Sequence, residues 1–236
     1  VCFVFLGRYK GFVVDGLSVI ITRQILLPAI KAAGSHCGCV FMRDEMVLKQ
    51  ALLMSHEYAK AVVKEGDCVV DATTGNGNDT VFLAELVGCT GKVYGFDIQQ
   101  EAILNTRKRL EEHSLLERCM LINDGHENMA KYINEPVKLV VFNLGYRPGG
   151  DHNIATKGET TMQAIHTALE KLVVHGLIVA VIYHGGDSGF SERDYLLKKL
   201  PELDSKSCTV LLMNYLNLPN NPPMLVCIEK LKQTEK

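Results

Sequence analysis

The sequence predicts an α/β fold: a seven-stranded, mostly parallel sheet, flanked by helices and ending in a C-terminal antiparallel hairpin. Three observations predict it. From Met46 onward, short and almost wholly apolar runs alternate with stretches of helical period, a pattern that calls for a parallel sheet covered on both faces. The last two apolar runs are joined by the turn Pro219–Pro223 with no helix between them, so they pair antiparallel. The chain of 236 residues is 47% apolar and 22% charged, which is globular rather than disordered or fibrous.

The elements follow in order. Met46–Lys64 carries an apolar stripe of helical spacing, stopped by Glu65-Gly66-Asp67, where Gly66 supplies the C-cap. Cys68–Ala72 reads as the first buried strand. A Gly-rich turn leads into a helix over Asp79–Val87. Lys92–Asp97 is the second strand and Gln99–His113 its helix. Met120–Asn123 is the third strand, followed by a short helix near His126–Lys131. Val137–Asn143 is the fourth strand. A long loop over 144–158 precedes a helix capped by Thr160, with Gln163 completing a capping box. Leu177–Tyr183 is the fifth strand and Ser191–Leu200 is helical. Thr209–Leu216 and Met224–Ile228 form the terminal hairpin.

Residues 1–43 differ from the rest. They open on the apolar run Val1–Leu6 and are broken by glycines, and are read as an N-terminal extension ahead of a single domain over 44–236. No apolar run is long enough for a membrane span. Cys68, Cys119, Cys208 and Cys227 sit inside strands, and Cys37-x-Cys39 lacks the C-x-x-C spacing of a zinc site. This usage fits free thiols, no bound metal and a cytoplasmic, reducing compartment. The formal charge is −2, which excludes a broadly basic nucleic-acid-binding surface.

The chemistry collects at the C-terminal ends of the strands, the edge where open α/β sheets bind ligands. After the first strand stands Asp71-Ala-Thr-Thr-Gly75-Asn76-Gly77-Asn78-Asp79. Gly75 and Gly77 lack a Cβ and let the backbone approach a ligand. Asp71 would repel a pyrophosphate but suits a cationic ligand such as the ammonium and sulfonium of S-adenosylmethionine (SAM). Asp97 ends the second strand, where a carboxylate binds ribose hydroxyls, and Ile98 and Gln99 follow it. Asp124-Gly125-His126 follows the third strand, where an adenine would lie. In the helix before the first strand, His56 is placed to reach the methionine end of the cofactor. Five αβ units plus a terminal hairpin describe the Rossmann-like, class I SAM methyltransferase fold.

Phe142-Asn143-Leu144-Gly145-Tyr146-Arg147-Pro-Gly149-Gly150-Asp151 leaves the fourth strand. An Asn at the strand end with a Tyr three residues on resembles the Asn/Asp-Pro-Pro-Tyr loop of amino methyltransferases, in which the Asn accepts a hydrogen bond from the attacking amine. Methyl transfer needs a nitrogen lone pair in line with the C–S bond, so the protein mainly positions groups and keeps the amine neutral. Leu144, Gly145, Arg147, Gly149 and Gly150 are the expected substrate contacts. Asn143 and Tyr146 are the expected catalytic residues, Asn143 also counting among the cofactor contacts, with Asp151 and His184 accepting the amine's proton.

The strand-end motifs, the run Phe142–Tyr146 with Gly149-Gly150-Asp151, and Pro222-Pro223 resemble the YtqB/MnmM family over roughly residues 46–231. The resemblance implies a tRNA methyltransferase that converts 5-aminomethyl-2-thiouridine at the wobble position of the anticodon to the 5-methylaminomethyl form. It also implies SAM contacts by Asn76, Asn78, Asp97, Gln99 and His126, and a possible homodimer. The tRNA anticodon stem-loop would be held by a local patch comprising Arg147, Lys157, Lys198 and Lys199.

Three other readings stand beside this one. The first keeps SAM but takes rRNA or a small-molecule amine as acceptor. The second is a nicotinamide-dependent oxidoreductase, against which count Thr80 in place of a third glycine and the Asp71 carboxylate. The third is a SAM-binding module without catalysis, against which count Asn143, Tyr146 and Asp151.

Overall fold

The structure, a computed structural model, describes residues 2–6, 9–14, 17–20, 47–145, 156–184 and 186–232. The chain divides into two compact units, Val1–Lys49 and Gln50–Lys236. In the first, β1 (Cys2–Leu6), β2 (Tyr9–Val14) and β3 (Leu17–Ile20) form an antiparallel sheet in that order. Cys37 and Cys39 lie outside the described residues.

The second unit is the expected α/β sheet. Its strands are β4 (Cys68–Asp71), β5 (Lys92–Phe96), β6 (Cys119–Ile122), β7 (Val137–Leu144), β8 (Leu172–Ile182), β9 (Cys208–Met213) and β10 (Met224–Lys230). They lie in the order β6-β5-β4-β7-β8-β10-β9. Pairing is parallel from β6 to β8, and β10 runs antiparallel to both β8 and β9. The chain starts at the centre with β4, works outward to β6, then returns to lay β7 beside β4. That reversal opens a crevice above β4 and β7.

Period-two alternation divides the core between the two faces of the sheet. Val140 and Phe142 of β7 pack with Ile178, Ala180 and Ile182 of β8 on one face. Leu139 and Val141 pack with Leu177, Val179 and Val181 on the other. A slip of one residue would exchange the faces, so burial of both fixes the register that sets Asn143 at the strand end. Lys230, at the far end of β10, is 2% exposed, and its ammonium donates to the Leu172 and Glu170 carbonyls as α4 (Gly158–Lys171) ends. These carbonyls have no partner within the helix.

Boundaries differ from expectation where side chains reach across the fold. Helix α1 (Ala51–Val62) stops at Val63, which turns extended and enters the core beside Val69. Gly66 is therefore not its C-cap but sits in the following turn at φ +91°. Helix α2 runs over Asn78–Leu86 and α3 over Gln100–Glu112. Residues 126–131 form the expected short helix, which is of the 3-10 type. The capping box at Thr160 is not formed: α4 starts two residues earlier, and the Thr160 hydroxyl donates to the Lys157 carbonyl at 3.0 Å. Helix α5 runs over Gly186–Lys199. The described cysteines are free, and burial pushes the thiols of Cys68, Cys119 and Cys227 up to about 12. No described helix is long and apolar enough to cross a membrane.

Candidate active site

A cavity of about 820 Å³ opens above the C-terminal ends of β4 to β8, bordered by residues 220–223 ahead of β10. The turn after β4 is built around Asp71. This carboxylate is 1% exposed and accepts from the Thr80 hydroxyl at 2.6 Å and the Thr73 amide at 3.1 Å. Burial, then the nearby Asp79 charge, pushes it up to about 7. It does not line the cavity, which corrects the expectation of a direct ligand contact. Gly77 does not line it either. It adopts φ +81°, and a Cβ there would lie 2.9 Å from Thr106 Cα, so the missing side chain lets α2 begin flush against α3. Gly75, Asn76 and Asn78 do face the cavity, and Arg109 donates to the Asn78 side chain.

At the end of β5, Asp97 accepts from the Gly75 amide at 2.9 Å and the Gln99 amide at 2.9 Å, which ties two strand ends together. Asp97, Ile98 and Gln99 all line the cavity. After β6, burial would lift the Asp124 carboxyl, but hydrogen bonds from Tyr132, Gly125 and Asn128 together hold it below its ordinary range. Gly125 and His126 sit beside it on the wall. The His126 Nδ1 lies 3.1 Å from the Ala72 carbonyl, an acceptor, so Nδ1 carries the proton. Burial lowers the His126 pKa, leaving Nε2 an acceptor in the neutral ring.

The β7 end brings Asn143, Leu144 and Gly145 to the wall. The Asn143 backbone amide donates to Thr73 Oγ1 at 2.7 Å, and its side-chain amide donates to Asp79 Oδ2. The second Asp79 oxygen lies 2.7 Å from His56 Nε2, whose ring stacks on Phe82 at 4.1 Å. His56 is thus behind Asp79 and does not itself line the cavity, which corrects its expected cofactor contact. Thr156 is bonded to Gly145 twice. Its amide donates to the Gly145 carbonyl at 3.2 Å, and its Oγ1 accepts from the Gly145 amide at 3.0 Å. That hydroxyl donates to Glu192 at 2.5 Å, and Thr161 donates to the other Glu192 oxygen at 2.9 Å. Glu192 is 3% exposed, and burial raises its carboxyl pKa. His184, also 3% exposed, faces the same space, its ring edge-on to Phe190.

Three buried side-chain atoms among the described residues have no hydrogen-bond partner within the chain: Thr74 Oγ1, His126 Nε2 and Asn143 Oδ1. All three residues line this cavity. Each buried orphan costs about 1–3 kcal/mol, so the cavity is where the fold leaves bonding capacity open. Two of the three atoms are acceptors. Among the described residues, five carboxylates, Asp79, Asp97, Asp124, Glu127 and Glu192, border the cavity beside one lysine, Lys157. Such a wall favours cations and N–H or O–H donors and disfavours a phosphate inside it.

Tyr146, Arg147, Gly149, Gly150 and Asp151 lie outside the described residues. Of the expected basic patch, Lys157 borders the cavity, and Lys199 is paired with Glu202 at 2.8 Å. The sequence reading gave no site role to Asp79, Glu192, Thr156, Asn220 or Asn221. Asp79 stands inside the Gly-rich motif and could have been found by asking what a carboxylate opening a helix faces. Glu192 had no such signal, since its partners are 36 and 31 residues away.

With this geometry in place, the comparisons with known proteins are informative. The family model described as "Putative rRNA methylase" matches residues 93–229. A chloroplastic tRNA (mnm(5)s(2)U34)-methyltransferase of Arabidopsis thaliana is 40% identical over 154 residues, 61% of this chain and 56% of the relative. The chain therefore spans little more than half of that relative's length. A Clostridium thermocellum structure bearing the same family description is 55% identical, covering 79% of this chain and 100% of its own, with a TM-score of 0.78. A Streptococcus mutans "putative methyltransferase", solved in complex with SAH, is 40% identical, covering 78% and 99%, with a TM-score of 0.72.

Proposed function

Because the chain belongs to the "Putative rRNA methylase" family, we propose that it is a SAM-dependent methyltransferase whose acceptor is an amine. The proposed amine is the 5-aminomethyl group of a (2-thio)uridine at the tRNA wobble position, giving the 5-methylaminomethyl product. The observation that carries this is the acidic lining of the cavity, in which Thr74, His126 and Asn143 keep polar atoms unpartnered within the chain. It fits both a cationic methyl donor and an amine. The activity of the Arabidopsis relative supports the tRNA acceptor, and the SAH complex of the Streptococcus mutans relative supports the cofactor.

SAM, when bound, supplies a methyl group made electrophilic by its sulfonium. In this reading Asp97 accepts from the ribose hydroxyls, His126 Nε2 from the adenine amine, and Gly75, Asn76 and Asn78 border the rest of the cofactor. The amine donates one N–H to Asn143 Oδ1, which directs its lone pair toward the methyl carbon. His184 and Glu192, both buried on the acceptor side, are the described groups able to take the proton. A phosphate backbone is held outside the acidic cavity, with Lys157 at its border.

The test has two parts. Calorimetric titration of SAH against NAD checks the cofactor: SAH binds and NAD does not. Transfer of labelled methyl to tRNA from cells lacking the final wobble methylation checks the acceptor, with rRNA as the control. Incorporation into rRNA alone would reject the tRNA reading.

A further inference from the structure

Asn143 could present either end of its amide to the cavity. The neighbour on one side decides which. A carboxylate oxygen accepts, so Asp79 Oδ2 captures the Asn143 NH2 group and leaves Oδ1 as the open end of a side chain whose residue lines the cavity. That oxygen is buried and unpartnered within the chain. Asp79 is itself held, because its other oxygen lies 2.7 Å from His56 Nε2. The His56 ring cannot swing freely, being stacked on Phe82 at 4.1 Å, one turn along α2 from Asp79. The chain His56–Asp79–Asn143 therefore joins α1, α2 and β7, three elements far apart in sequence.

We propose that His56 and Asp79 are positioning residues that lock the Asn143 carbonyl toward the acceptor, making the site select a ligand that donates N–H at that point. The role rests on the amine-methylation reading for its ligand, but not for its geometry. His56 touches Asp79 and Phe82 and does not line the cavity, so it acts only through its neighbour.

The experiment separates geometry from function. Side-chain amide signals are recorded by 1H–15N NMR, with the Asn143 pair assigned by its loss in Asn143→Ala. In the wild type this pair is shifted downfield and exchanges slowly with solvent. His56→Phe keeps the stacking but removes the donor to Asp79, and Asp79→Asn removes the acceptor. Both move the Asn143 signal and speed its exchange, whereas His56→Gln, which still donates, restores it. In turnover, His56→Phe lowers kcat about tenfold, in the range for a residue that orients an active-site group. KM for the tRNA and SAH affinity stay within about threefold, and His56→Gln recovers most of the loss. An unmoved Asn143 signal in Asp79→Asn, or equal losses in His56→Phe and His56→Gln, overturns the proposal. A wild type that methylates none of the offered acceptors rejects the amine reading, while the NMR arm still decides the positioning role.

Discussion

The two halves of the cavity are held in different ways. On the cofactor side, after β4, β5 and β6, the carboxylates are satisfied largely by backbone amides and by side chains of the strand-end turns: Asp97 by the Gly75 and Gln99 amides, Asp124 by Gly125, Asn128 and Tyr132. On the acceptor side, after β7 and β8, the links run between side chains far apart in sequence: Asp79 to Asn143 and His56, Glu192 to Thr156 and Thr161. The first arrangement needs only the paired strands β4 and β5 and the turns that follow β4, β5 and β6. The second exists only once α1, α4 and α5 have docked, so it is open to tuning without dismantling the cofactor half.

The largest expected effect divides the halves most sharply. Asn143→Ala removes the open acceptor and should lower turnover about a hundredfold, comparable to losing one group that stabilises a transition state. SAH affinity, by calorimetry, should change less than threefold. Asp97→Ala should do the reverse. It loses charged hydrogen bonds worth about 2 kcal/mol, roughly thirtyfold in SAH affinity, and turnover at saturating SAM should fall far less. Equal losses of both quantities in both variants would erase the distinction between the halves.

A third test reads the scaffold beneath the cofactor half. The folded Asp71 carboxyl is raised from 3.8 to about 7, so between those values the folded state keeps a proton that the unfolded chain has lost. Stability therefore falls as pH rises through that window, by up to about 1.4 kcal/mol per unit, and levels off above it. Glu192 is raised too and acts in the same sense. Urea unfolding at pH 5 and pH 7.5 should give a smaller difference for Asp71→Asn than for the wild type. The smallest effect concerns the acceptor half. Thr160→Ala should cost under about 0.5 kcal/mol, against about 1 kcal/mol for a true N-cap, because its hydroxyl only donates back to Lys157.

Legibility in the sequence follows the same division. The sheet, its C-terminal hairpin and the strand-end positions of Asp97, Asp124, His126 and Asn143 could be read because each depends on local periodicity and on the turn that follows a strand. The assignments of Asp71, Gly77 and His56 to the ligand went astray for one reason. A motif gives position along the chain, but the side chain's direction is set by tertiary partners: Thr80 and Thr73 for Asp71, Thr106 for Gly77, Asp79 for His56. Glu192 was invisible because nothing near it in sequence reveals that two threonine hydroxyls converge on it. The Thr160 cap failed because Thr-x-x-Gln is a frequent spelling, and α4 begins ahead of it.

The tight seat of Gly77 limits what can be exchanged there: a Cβ would lie 2.9 Å from the Thr106 Cα, so even alanine would push α2 off α3 and displace the turn that brings Asn76 and Asn78 to the cavity.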